Sequence, residues 1–190
     1  MRIHVQIRKE AGYHEALTGL SFNKKRHVTD KESYEHMKTV AQKLCTKDYG
    51  HNKFLESIYL WVDCTMPRYW WQEADTYRLS TKQSESTLKG VILRNELTQE
   101  DFVEDIHPMV LENLNQYLKA EDHRRLKQHL PEGYLQRRLW VFNYKTARNI
   151  IIQRQKHYLP EWKHFCKEMV AQVEHPELLP VITSGTGPLR

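Results

Sequence analysis

KQHLPEGYLQRRLWVFNYKTARNIIIQRQK, residues 127–156, is the stretch on which the reading of this chain turns. HLPEGY, at 129–134, reads as a loop by its proline and glycine. From Asn143 to Lys156 the pattern becomes helical, with Ala147, Ile150, Ile151 and Arg154 recurring at helix spacing. Taken singly, Asn143 and Asn149 serve equally as a helix cap and a solvent-facing amide.

Upstream, RIHVQIR at 2–8 puts Ile3, Val5 and Ile7 on one face and predicts a short edge strand. Tyr34, Met37, Val40, Ala41 and Leu44 predict an amphipathic helix from Asp30, stopped by the glycine of KDYGHN. Ile58, Leu60, Val62, Cys64 and Met66 alternate as in a strand that Pro67 ends. Thr98 and Asp101 form a T-x-x-D helix start ahead of Phe102, Val103 and Ile106, and Pro108 breaks or restarts that helix before Val110, Leu114, Tyr117 and Leu118. Downstream, a last helix starts near Pro160 and turns Trp162, Phe165, Cys166, Met169 and Val173 inward. Few strands among several helices, without an internal repeat, predict an α+β domain over residues 1–174 and a C-terminal tail over 175–190.

Composition sets the bounds. The 190 residues suffice for one core without staples. Charged residues make up 28%, yet aromatics make up 11%, more than a disordered chain carries. A net charge of +5 fits an anionic ligand such as a nucleotide and is too diffuse to require nucleic acid. Cys45, Cys64 and Cys166 lack C-x-x-C spacing, and the histidines lack i, i+4 spacing, so the reading includes neither a disulfide framework nor a metal site. No signal peptide or membrane span is seen, which predicts a soluble cytoplasmic protein. No G-x-G-x-x-G, P-loop or G-x-S-x-G occurs.

Residues 50–90 and 127–162 resemble the flavin-dependent thymidylate synthases. That family carries G-H-x-x-x-x-E before a strand, matched by Gly50, His51 and Glu56, and then a proline, matched by Pro67. In the same register its R-H-R falls on Thr76, Tyr77 and Arg78, and its S-x-N-E-x-S falls on Thr81, Gln83, Ser84 and Ser86. Its R-x-x-L-P matches Lys127, Leu130 and Pro131, and its N-x-R-x-x-x-N-x-x-x-x-R matches Asn143, Lys145, Asn149 and Arg154.

The resemblance implies an α+β homotetramer that methylates dUMP with FAD, taking methylenetetrahydrofolate and NADPH as co-substrates, in a bacterial or phage-infected host. It places His51, Thr76, Tyr77, Arg78, Asn143, Lys145 and Asn149 at the flavin. It places Glu73, Ser84, Ser86, Lys127 and Arg154 at the pyrimidine nucleotide, with Arg154 and Ser86 as the catalytic candidates.

The departures carry chemistry too. Lysine at 127 and 145 attracts an anion as a point charge but lacks the planar fork of arginine. Leu88 stands where the family has a phosphate-binding arginine; losing one charged hydrogen bond weakens a ligand roughly 10- to 150-fold unless Lys89, Arg78 or Lys82 supplies the charge. Glu73 favours a ring edge rich in N–H donors. The two neighbouring tryptophans, Trp70 and Trp71, read first as packing residues. Three functions follow: a thymidylate synthase-like enzyme, a diverged nucleotide or flavin binder, and a nucleic-acid-binding oligomer using Arg124, Arg125, Lys127, Arg137 and Arg138 as its basic face.

Overall fold

The computed structural model describes residues 2–22, 31–47, 50–84, 87–93 and 96–182. In chain order its elements are β1 (His4–Ala11), α1 (Tyr13–Phe22), α2 (Lys31–Cys45), β2 (Tyr59–Pro67), α3 (Arg68–Ala74), β3 (Ser80–Ser84), α4 (Thr87–Ile92), α5 (Pro108–Lys119), α6 (His123–His129), β4 (Leu135–Asn143), α7 (Tyr144–Arg154) and α8 (Pro160–Gln172). Single 3-10 turns lie at Lys53–Ser57, Gln99–Asp101 and Pro176–Leu178.

The strands form one antiparallel sheet in the order β1-β2-β4-β3, so the first strand lies at an edge as expected. β2 and β4 are framed by two backbone bonds, Tyr144 N to Ile58 O at 2.8 Å and Arg68 N to Tyr134 O at 3.1 Å. The alternating set Ile58, Leu60, Val62, Cys64 and Met66 is fully inaccessible to solvent. The class is α+β.

The residues pack as two compact units. The first comprises Met1–Val5, Asp63–Arg78 and Lys82–Leu139. Its core gathers Val91, Leu97, Phe102, Leu114, Leu126 and Tyr134. Polar wiring closes it: buried Asn115 accepts from Leu97 N at 2.8 Å and donates to Leu97 O at 3.0 Å.

The second unit comprises Gln6–Val62, Leu79–Thr81 and Trp140–Arg190. Trp140 lies 4.6 Å from Phe142 and 5.6 Å from Phe165 between ring centroids, and Trp162 meets Phe165 edge-on at 5.9 Å. Asn143 caps α7, its Oδ1 accepting from Thr146 N at 2.9 Å, and Pro160 opens α8. Gly12 has φ +99°, and a Cβ there would stand 2.1 Å from the Ser57 carbonyl oxygen, so only glycine fits.

One expected helix is shorter than its start signal. The capping box at Thr98 and Asp101 is present, with Thr98 N donating to Asp101 Oδ2 at 2.8 Å, but it opens only a 3-10 turn. Phe102 leaves that turn to bridge with Tyr134, and the Gln99 side chain takes both the N–H and the carbonyl of Ile106. Competing partners for the backbone end the helix, and the next one begins at Pro108. Past His175 the chain keeps packing through Leu178 and Leu179, both buried; residues 183–190, including SGTGPLR, lie outside the described residues.

Candidate functional site

Arg154 closes α7 in the second unit. Its guanidinium lies 4.9 Å from the Trp162 ring centre, and its Nη1 is 2.9 Å from His157 Nε2. The planar cation is thereby oriented by an aromatic face and an imidazole. Lys145, two residues after the α7 cap, donates to Glu56 Oε1 at 2.7 Å, which ties the first turn of α7 to the Lys53–Ser57 turn. Asn149 is exposed one turn further on.

His51 is exposed and lines a pocket of about 450 Å³ within the same unit. Lys53, Glu56 and Glu15 supply its polar groups; Leu20, Leu44 and Phe54 supply apolar wall. His51, Glu56 and Lys145, separated by up to 94 positions in sequence, are thus gathered around one turn. Gly50, with φ +86°, delivers His51 into it.

In the first unit, Glu73 is half-buried in the last turn of α3, followed by exposed Thr76, half-buried Tyr77 and exposed Arg78. The Thr76 hydroxyl turns back to donate to Glu73 O at 2.7 Å. Ser84 is exposed at the end of β3, and Lys127 is exposed on α6. Ser86 lies outside the described residues. Trp70 and Trp71 are fully buried, and their rings meet edge-on at 4.9 Å. They are packing residues.

The same unit holds a polar cluster that the residue pattern did not assemble. Arg138 lies with its guanidinium carbon 4.5 Å from the Trp71 ring centre and donates to Gln136 Oε1 at 3.1 Å. Trp71 Nε1 in turn donates to Gln136 O at 3.0 Å. Arg138 and Lys82 both approach Asp75, at 3.4 Å and 3.6 Å. Burial pushes the pKa of each cation down, and Asp75 opposes the shift. The missed signal is the strand β4 itself: with Gln136, Arg137 and Arg138 in sequence, its alternation is broken where these side chains find their partners.

No protein-family profile and no curated protein matches the chain. Solved structures do. A flavin-dependent thymidylate synthase ThyX from Helicobacter pylori, complexed with FAD and dUMP, superposes with a TM-score of 0.78 at 17% identity, over 93% of this chain and 97% of that one. A UMP/dUMP methylase PolB from Streptomyces cacaoi, bound with 5-Br dUMP, gives 0.64 at 11% identity, over 89% and 88%. Among the described residues no helix is long and apolar enough to cross a membrane. The chain has the fold of the flavin-dependent thymidylate synthases, as the spacing of its two motif segments implied.

Proposed function

We propose that this chain binds FAD and a pyrimidine deoxynucleotide, dUMP or a close relative, and catalyses a thymidylate synthase-like methyl or hydroxymethyl transfer as a homotetramer. The observation that carries this reading is the backbone likeness, nearly end to end, to a ThyX complexed with FAD and dUMP. The likeness to a UMP/dUMP methylase supports the same substrate class.

The pocket at His51 supports the flavin half. About 450 Å³ lies in the usual range for a small-molecule site, where donors at His51 and Lys53 and the apolar Leu20 and Phe54 would meet the cofactor, beside the carboxylates of Glu15 and of Glu56, the latter paired with Lys145. When bound, the reduced flavin supplies hydride, with NADPH and methylenetetrahydrofolate as the proposed reductant and one-carbon donor.

The chain's own residues bind and orient. Lys145, held by Glu56, would offer a cation to the flavin. Arg154, held by Trp162 and His157, polarises the base carbonyls and stabilises charge that develops in the ring. The Glu73 carboxylate accepts from N–H groups of the base, and Lys127, Ser84 and Ser86 contribute charge and hydroxyl donors to the nucleotide. Tyr77 and Arg78 take the flavin side, and Thr76 offers only the hydroxyl that now folds back on Glu73.

The test is a visible spectrum of the purified chain after incubation with FAD and desalting, followed by a tritium-release assay on dUMP labelled at C5. A retained flavin band and dUMP-dependent release are expected. A chain that keeps no flavin and releases no tritium overturns the reading.

A further inference from the structure

Gly19 stands inside α1, which runs on to Phe22, and nothing in the packing of the chain asks for a glycine there. Gly12 and Gly50 take positive φ, +99° and +86°, where glycine is favoured. Gly19 takes no such φ. It is exposed, and a Cβ added to it would meet no atom of the surrounding chain within 4 Å. Glycine is a poor helix former and alanine the best, so alanine would fit this position and hold α1 better.

Beside the missing side chain lies the pocket of about 450 Å³. α1 turns one face to it, Glu15, Ala16, Gly19 and Leu20, whose spacing puts them together on a helix. Ala16 and Gly19, one turn apart, leave a nearly bare strip of helix at the pocket wall. Such a strip lets a flat group approach the backbone closely. Formal charges around the pocket cancel: the carboxylates of Glu15 and Glu56 stand against Lys53, which lines it, and Lys145, bound to Glu56 at 2.7 Å. A phosphate calls for an excess of cation, whereas a balanced wall suits a ring that carries no net charge.

We propose that Gly19 determines which ligand the pocket admits, its missing side chain being the space in which an uncharged planar ring lies against α1. The proposal rests on the flavin reading of the same pocket and deepens it, since FAD carries two such rings, the isoalloxazine and the adenine. A side chain at position 19 fills that space. Helix stability and ligand binding therefore pull in opposite directions at this residue.

The experiment compares the wild-type chain with Gly19→Ala and Gly19→Leu, by thermal melts without ligand and by titration of the full chain with FAD, riboflavin and adenosine. Gly19→Ala is expected to melt about 2–4 °C higher, as a better helix former in open space, and yet to bind FAD about tenfold more weakly. Gly19→Leu is expected to fold and to weaken FAD by about a hundredfold. Weakening of riboflavin alone identifies the isoalloxazine as the ring at Gly19, and weakening of adenosine alone identifies the adenine; either supports the proposal.

The opposed signs of melting and binding separate this role from a structural one. A Gly19→Ala chain that melts lower shows a glycine the fold itself requires and overturns the proposal. FAD bound at wild-type affinity by folded Gly19→Leu also overturns it, while the flavin reading stands. A wild-type chain that binds riboflavin or adenosine but not FAD, and loses that binding in Gly19→Leu, keeps the proposal and removes FAD. Binding of none of the three by the wild-type chain removes both.

Discussion

The guanidinium of Arg154 lies over the Trp162 ring, with 4.9 Å between its central carbon and the ring centre. The pair links the last residue of α7 to the first turn of α8, and His157, in the turn between them, fixes the edge of the guanidinium at 2.9 Å. A cation held over an aromatic face contributes about 0.5–2 kcal/mol and keeps a planar orientation that lysine cannot reproduce.

Arg154→Lys is accordingly expected to weaken dUMP by about tenfold while shifting the melting temperature little, since the charge remains and the planar donors are lost. Parallel titration and thermal melts check this. Wild-type affinity in the lysine variant would remove Arg154 from the nucleotide site.

Asn115 makes two buried bonds to one residue, Leu97 N at 2.8 Å and Leu97 O at 3.0 Å. Asn115→Leu strands both backbone groups, each at about 1–3 kcal/mol, so a loss of roughly 2–6 kcal/mol is expected in urea unfolding. A loss below about 1 kcal/mol would mean that water replaces the amide.

Gly12→Ala puts a methyl 2.1 Å from the Ser57 carbonyl at a left-handed φ of +99°. Clash and backbone strain act together, and the variant is expected to be destabilised by more than about 2 kcal/mol. Soluble expression and the urea midpoint report it; a wild-type midpoint would show that the α1 entry can move.

The Cys166 thiol is buried, and burial pushes its pKa from 9.0 up to about 12, with Arg154 pulling weakly the other way. Tyr13 moves in the same direction, from 10.0 to about 12, again through burial. A group with a raised folded pKa keeps its proton longer in the folded chain than in the unfolded one. The stability it lends is whole below about pH 9 and is lost as pH climbs toward 12, at up to about 1.4 kcal/mol per pH unit for each group. Melting temperatures are expected to fall from about pH 9 upward, less steeply in Cys166→Ala. Identical alkaline slopes in the two chains would contradict the burial of that thiol.

Much of the architecture is legible in the chain because its cause is local. The strict alternation from Ile58 to Met66 needs only a two-sided strand with one wet face, and all five inward residues prove inaccessible. Asn143 before a helical run is a cap because its side chain reaches the N–H three residues on, whatever surrounds it. Arg154 lies on a helix because Ala147, Ile150 and Ile151 before it recur at helix spacing, which is set by backbone geometry alone.

The rest depended on partners far away in sequence. Arg137 and Arg138 read as part of a basic surface, yet they lie on the inner strand β4, where Asp63, Trp71 and Asp75 meet them across 63 to 74 positions. The capping box at Thr98 stops after one turn because Tyr134 and the Gln99 amide claim the backbone that a helix would use. By itself, then, the sequence determined the α+β class, the cap at Asn143 and the spacing of the two motif segments. Only the tertiary structure decided that β4 lies inside the sheet and that Arg138 and Lys82 share one loosely held carboxylate, because side chains that balance a buried charge are chosen by proximity in space, and no local pattern encodes that.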